Sequence, residues 1–191
     1  MDKQKILMVI GSLRRQSLNR QLAEAGAELL KDQAEVSVLD YTRLPFINPD
    51  MEFPVPDEVQ KIRDRISGAD GVWIFFPEYN YSYPGALKNL LDWISRPTAQ
   101  GAPRTTAVSS EKPVTYSSVS GSASGTKALE KMYDLLKKIH MDIMAEPVVS
   151  IREPKTTDGK LELSEEEKGL LKEQAEAFLK FIKEKNERKN K

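Results

Sequence analysis

The 191-residue chain predicts an α/β protein: a three-layer sandwich in which a five-stranded parallel sheet is covered by helices on both faces. Three observations carry that expectation. Short apolar runs alternate with amphipathic stretches of helical period, an order that needs right-handed crossovers and hence parallel strands. Residues 72–76 (VWIFF) are apolar without interruption, the pattern of a strand buried on both faces. Polar loops follow the first, third and fourth strand-like runs, so all three emerge at one edge of a parallel sheet. The length suits one core, and residues 1–191 are expected to form a single domain.

The first strand is expected over residues 5–10 (KILMVI), broken by Gly11. The loop SLRRQS leads into a helix whose apolar residues Leu18, Leu22, Ala25 and Leu29 step by four, three and four. Strand, short loop, then helix is a recipe for anion binding, because unpaired N–H groups and the positive end of the helix dipole meet at one spot. Ser12 and Ser17 can donate hydroxyls there, Arg14 adds charge, and Asn19 brings an amide. Ser17 reads equally well as the helix N-cap. The loop matches neither GxGxxG nor GxxxxGK[ST], so it is neither a dinucleotide fingerprint nor a P-loop.

Residues 35–39 form a short second strand ending at Asp40, and a loop with four prolines then covers the sheet edge. Asp57 is expected to cap a helix carrying Val59, Ile62 and Ile66, which Gly68 ends. After the central strand, Pro77 stops the ladder, and Pro84 opens a helix with Leu87, Leu90, Leu91 and Ile94 on one face. The loop between them, PEYNYSY, holds aromatics, amides and the carboxylate of Glu78 at the carboxyl end of a central strand, where open α/β sheets bind ligands. A long polar connection over 96–112 precedes a fourth strand over 113–119. The turn SVSGSASGT offers Ser120, Gly121, Ser122 and Gly125, small residues that let a planar group approach the backbone; a plain flexible loop fits the same composition. A helix over 128–140 places Leu129, Met132, Leu136 and Ile139 inward, and a fifth strand is expected over 147–151. Ser164 and Glu167 form a capping box for a last helix with Leu171, Ala175, Phe178, Leu179 and Ile182 on one side. The end of that helix, KEKNERKNK, reads as a solvated tail.

Composition narrows the chemistry. Hydrophobic residues at 39% and charged residues at 30% are those of a globular protein, and no segment approaches the roughly 18 apolar residues of a membrane span, so a cytoplasmic protein is expected. Lys plus Arg and Asp plus Glu both number 29, which gives no net pull toward nucleic acid or an acidic partner. With no cysteine, disulfides, thiolate catalysis and cysteine-ligated clusters are excluded. The single histidine, His140, makes neither a typical zinc site nor a Ser-His-Asp triad. No catalytic residue and no metal ligand stand out, and the chemistry is assigned to a cofactor.

Two blocks carry a resemblance to a known family. PEYNYSYPGALKNLLDW and GSLRRQSLNR resemble the second flavin loop with its helix and the phosphate loop of the NADPH-dependent FMN reductase family, a flavodoxin-like group that includes quinone and azo-dye reductases. The resemblance implies the sheet order 2-1-3-4-5, in which the three polar loops converge on one crevice at the switch point. It implies bound FMN, with Gly11, Ser12, Arg14, Ser17 and Asn19 at the phosphate and Pro77, Glu78, Tyr79, Asn80 and Ser82 in the second flavin loop. Ser120, Gly121 and Ser122 would lie against the ring. Backbone N–H groups near Tyr79 and Asn80 would stabilise the reduced flavin. It implies NADPH as donor, a small-molecule electron acceptor, and a homodimer or homotetramer, for which Tyr81, Tyr83 and Trp93 are expected to present outward-facing aromatic surface. A flavodoxin-type FMN electron carrier without nicotinamide oxidation is the alternative; such carriers are typically strongly acidic, and this chain is neutral.

Overall fold

The computed structural model describes residues 3–121 and 126–189. Its element order is β1 (Gln4–Ile10), α1 (Leu18–Leu30), β2 (Ala34–Val38), α2 (Asp57–Ser67), β3 (Gly71–Phe75), α3 (Gly85–Ile94), β4 (Pro113–Ser120), α4 (Thr126–Lys138), β5 (Asp142–Ile143), β6 (Ser150–Arg152), β7 (Thr156–Thr157), β8 (Lys160–Leu161) and α5 (Glu165–Lys189). The main sheet is parallel in the order β2-β1-β3-β4-β5, with β6 also paired to β4.

Strand alternation builds two cores. From β1, Leu7 and Val9 face α2, α3 and α4, where they meet Ile62, Ile66, Leu90, Leu91, Met132 and Leu136. Ile6, Met8 and Ile10 face α1 and α5, among Leu22, Trp73, Phe75, Phe178 and Ile182. Burial on both faces is why β1 and β3 read as unbroken apolar runs.

The fifth strand departs from expectation. Instead of one strand over 147–151, two short pieces share that place: β5 pairs with Pro113 and Val114, and β6 with Ser118 to Ser120. The stretch between them leaves the edge of β4, and the side chain of Gln174, fully buried on α5, enters the gap. Its Nε2 donates to Tyr116 O and Thr115 Oγ1, both at 2.9 Å, while its Oε1 accepts from Val149 N at 3.0 Å and Ser117 Oγ at 2.8 Å. Ser117 Oγ in turn accepts from Trp73 Nε1 at 2.9 Å. One side chain thus stands in for a missing rung of the ladder.

Other differences have local causes. The inward stripe of α1 is Leu22, Ala23, Gly26 and Leu30, rotated from the Ala25 and Leu29 positions. Gly26 lies against Trp73, whose ring would be 3.5 Å from a Cβ at that position, so the helix turns its smallest residue to the largest one. Asp57 is the first residue of α2 rather than its cap; Pro56 holds the cap position without a side-chain bond. α4 begins two residues earlier than expected, at Thr126. Trp93 is fully buried and donates Nε1 to Pro45 O at 2.8 Å, so it contributes no outward-facing surface. The capping box at the start of α5 is formed, with Glu167 N donating to Ser164 Oγ at 3.2 Å and Ser164 N to Glu167 Oε2 at 2.7 Å.

A hairpin and the pinning of the long connection had no counterpart in the sequence expectations. A β7–β8 hairpin turns on Asp158 and Gly159, with φ of 53° and 76°. It is held to α1 by Gln21, whose Nε2 donates to Gly159 O and whose Oε1 accepts from Leu161 N. The long connection over 96–112 is pinned at both ends: Arg96 pairs with Glu52, and Ser109 donates its hydroxyl to Ile139 O at 2.9 Å.

Candidate functional site

The loops after β1, β3 and β4 lie together at the carboxyl edge of the sheet, and hydrogen bonds tie them to one another. Gly11 N donates to Phe75 O at 2.7 Å, and a Cβ on Gly11 would meet Phe76 Cβ at 2.7 Å, so the chain passes here only as glycine. Asn19, 3% exposed at the start of α1, accepts from Val119 N and donates to Val119 O, both at 2.9 Å. That staple joins the first loop to the end of β4. It takes up the Asn19 side chain, so what this residue offers an anion is its backbone N–H.

Ser17 is buried and accepts from Arg20 N at 3.2 Å, the N-cap role that its sequence position allowed. Ser12 is buried, and Arg14 is exposed with no ion pair among the described residues. Among the described residues the backbone N–H groups of Ser12, Leu13 and Arg14 donate to no backbone carbonyl. Open amides at a helix N-terminus, beside an unpaired guanidinium, are the donor set a phosphate dianion takes.

The second loop is a tight two-residue turn. Tyr79 N donates to Ser82 O at 2.7 Å and Ser82 N to Tyr79 O at 3.0 Å, with Asn80 at φ 50° and Tyr81 at φ 59°. Two consecutive residues with positive φ make a type I′ turn, which side chains other than Gly or Asn adopt at a cost of about 1 kcal/mol. The turn carries Tyr79 and Tyr81 at the surface, 50% and 62% exposed. It also commits the Tyr79 N–H to Ser82, so the expectation of a ring-stabilising donor passes to Asn80 alone in this turn. Pro77, Glu78, Ser82 and Tyr83 are half-buried, and burial raises the pKa of the Tyr83 phenol. Glu78 Oε2 accepts from Ala128 N at 3.0 Å, tying the turn to the first turn of α4, where a carboxylate also meets the helix dipole.

At the end of β4, Ser120 is buried and its carbonyl accepts from Glu153 N at 3.0 Å. Gly121 is exposed, and a Cβ there would touch nothing within 4 Å. Ser122 and Gly125 lie outside the described residues. Ser118, which sequence reasoning passed over, donates its hydroxyl to Phe76 O at 2.7 Å and so locks the ends of β3 and β4 together.

Among the described residues no cluster of three or more His, Cys, Asp or Glu is placed to hold a metal, and no helix is long and apolar enough to cross a membrane.

The sheet order and the three loops at its switch point define a flavodoxin-like α/β protein. Residues 4–155 match the sequence profile described as NADPH-dependent FMN reductase. The chain belongs to that family. It is 45% identical over 96 residues to a 2-hydroxy-1,4-benzoquinone reductase of Burkholderia sp, a match that covers 50% of this chain and 52% of the relative. It is 33% identical over 180 residues to a probable NADPH:quinone oxidoreductase 2 of Oryza sativa subsp. japonica, covering 87% of this chain and 85% of that protein. The solved structure of FerB, a flavoenzyme NAD(P)H:(acceptor) oxidoreductase from Paracoccus denitrificans, superposes with a TM-score of 0.78 at 28% identity over 95% of this chain and 98% of that one. The chain spans about half the length of the first of these relatives.

Proposed function

We propose that this protein is an FMN-dependent NAD(P)H:acceptor oxidoreductase that passes electrons from NADPH to quinones, azo compounds or free flavin. The observation that carries the reading is the first loop: amides that donate to no backbone carbonyl and the unpaired Arg14 at the start of α1, with the Tyr79–Ser82 turn and Gly121 on the same edge. Bound FMN would supply the redox step, taking hydride from the nicotinamide and returning two electrons to the acceptor. The chain's own part is placement. The Ser12–Arg14 amides and the Arg14 guanidinium hold the phosphate; the Asn80 N–H is offered to the ring; the exposed Gly121 backbone lets the planar group lie close. No titratable side chain is assigned as acid or base. The two cores share one sheet, which supports reading residues 1–191 as a single domain. NADPH dependence and the absence of cysteine fit a cytoplasmic location.

The test of the phosphate assignment is Arg14→Ala. A charge-assisted hydrogen bond is worth roughly 1.5–3 kcal/mol, so FMN affinity should fall roughly ten- to a hundredfold while riboflavin affinity stays nearly unchanged. Equal loss of both ligands in a flavin titration would refute the assignment.

One crevice has to admit donor and acceptor in turn, so steady-state kinetics with NADPH and a quinone should give parallel double-reciprocal lines. Converging lines would mean simultaneous binding. Reduced flavin with no turnover of NADPH would instead favour the electron-carrier alternative.

Assembly follows from exposed apolar surface. Tyr79 and Tyr81 stand beside the proposed flavin crevice, and Phe46 is 85% exposed. A two-fold homodimer, or a tetramer built from it, would cover such surface and wall the crevice. Light scattering of the FMN-bound protein at micromolar concentration should give at least twice 21.6 kDa; a fully active, flavin-saturated monomer would overturn this.

A further inference from the structure

On the far side of the first loop from β3 and β4 is a second crevice of about 390 Å³ at the carboxyl ends of β1 and β2. Its walls are Leu13 and Val38, 52% and 46% exposed, together with Leu39. Its polar groups are Arg20, Tyr41 and Asp40. The Tyr41 hydroxyl donates to Ile10 O at 2.7 Å, which fixes that ring against the end of β1. Arg43 lines the adjoining recess, which also contains Asp40 and Tyr41.

The charge here exceeds what one phosphate needs. Arg14, Arg15, Arg20 and Arg43 are all exposed, and none forms an ion pair among the described residues, in a chain whose net charge is zero. Two carboxylates stand nearby: Asp40 Oδ1 accepts from Thr42 N at 3.0 Å and from Thr42 Oγ1 at 2.7 Å, and Glu58, which lines the recess with Arg43, is paired with Lys61 at 2.7 Å. In α/β nucleotide sites an acid at this strand end that is directed to the ribose marks a 2′-hydroxyl, whereas a nearby arginine accommodates a 2′-phosphate. The crevice has apolar walls for a planar base and surplus guanidinium for an anion. It lies roughly three strand spacings, about 14 Å, from the loop after β4, a span an extended dinucleotide covers.

We propose that this crevice seats the 2′-phosphorylated adenosine half of NADPH, with Arg20 and Arg43 as partners of the 2′-phosphate. The proposal rests on the oxidoreductase reading above and adds to it where the donor's non-reacting half is held and what selects it.

The probes are adenosine 2′,5′-bisphosphate and 5′-AMP, titrated calorimetrically into the FMN-loaded protein and, separately, into protein stripped of flavin. The bisphosphate should bind at least tenfold more tightly in both forms. The Arg20→Gln/Arg43→Gln double variant should lose that preference while keeping its FMN affinity and thermal midpoint, since neither side chain has a hydrogen-bond or ion-pair partner among the described residues. Arg104→Gln, which lines neither the crevice nor the adjoining recess, should retain it. Equal binding of the two probes by the unaltered protein, or a preference that survives the double variant, overturns the proposal. FMN binding without a bisphosphate preference sinks this site and leaves the oxidoreductase reading standing; a bisphosphate preference in a chain that binds no FMN does the reverse.

Discussion

Replacing Glu52 with glutamine is expected to cost about 3 kcal/mol of stability, and the loss should fade in acid. Glu52 is 6% exposed, and its two oxygens accept from Arg96 Nε and Nη2, each at 2.7 Å. Beside it Arg63 is 2% exposed, with Nε and Nη2 lacking a partner among the described residues. Burial lowers the pKa of Arg63, and the Glu52 charge opposes that fall. Removing the carboxylate therefore leaves two guanidinium groups facing each other. The low end of the usual 3–5 kcal/mol for breaking a buried pair applies because a third of the Arg96 side chain remains in water. The Arg96 hydrogen bonds, then its charge, hold the Glu52 carboxyl below its ordinary range. A depressed folded-state pKa means that the stabilisation is full above the unfolded value, about 4.3, and is lost as pH falls through the lower folded value. Urea unfolding of the two proteins at pH 7 should show the full difference, and the gap should narrow below about pH 4. A gap of the same size at both pH values would mean that shape rather than charge is responsible.

The second large effect is expected at Gln174. Gln174→Leu keeps most of the volume but strands Tyr116 C=O and Val149 N–H in the interior, since Ser117 keeps its bond from Trp73 and Thr115 can still donate to Met144 O. At 1–3 kcal/mol for each buried unsatisfied group, the cost is about 4 kcal/mol, which for a chain of this size lowers the thermal midpoint by roughly 8–16 °C. Ser117→Ala, which removes the bonds to Trp73 and Gln174 and leaves the buried Trp73 N–H without its acceptor, should cost about 2 kcal/mol. A Gln174→Leu protein that melts within about 2 °C of the unaltered one would show that the gap in the ladder is satisfied in some other way.

Much of the fold was legible because burial leaves a periodic trace. β1 and β3 are covered on both faces and therefore read as continuous apolar runs, and Leu87, Leu90, Leu91 and Ile94 repeat at helical spacing in α3. The three edge loops followed from topology once the strands were placed. The split fifth strand was not legible, since the partner that replaces it, Gln174, is separated from Thr115 by 59 residues and looks like any polar helix residue. Asn19 carried no sign that its amide would be spent on Val119, 100 residues away. Trp93 looked surplus to its helix face because the loop carbonyl of Pro45 that receives its N–H has no sequence pattern. The β7–β8 hairpin was legible in principle: Asp158-Gly159 between Thr157 and Lys160 is among the strongest short-range hairpin signals.

The divided strand at the outer margin of the sheet also bears on how copies of this chain can meet. A margin of two residues in β5 and three in β6, interrupted by a stretch that bends away, presents no straight row of backbone donors and acceptors for a foreign strand to zip onto. Growth of the sheet from one molecule into the next is blocked on that side. Association there must proceed through side chains on helices and loops, which favours closed pairs over open-ended fibres.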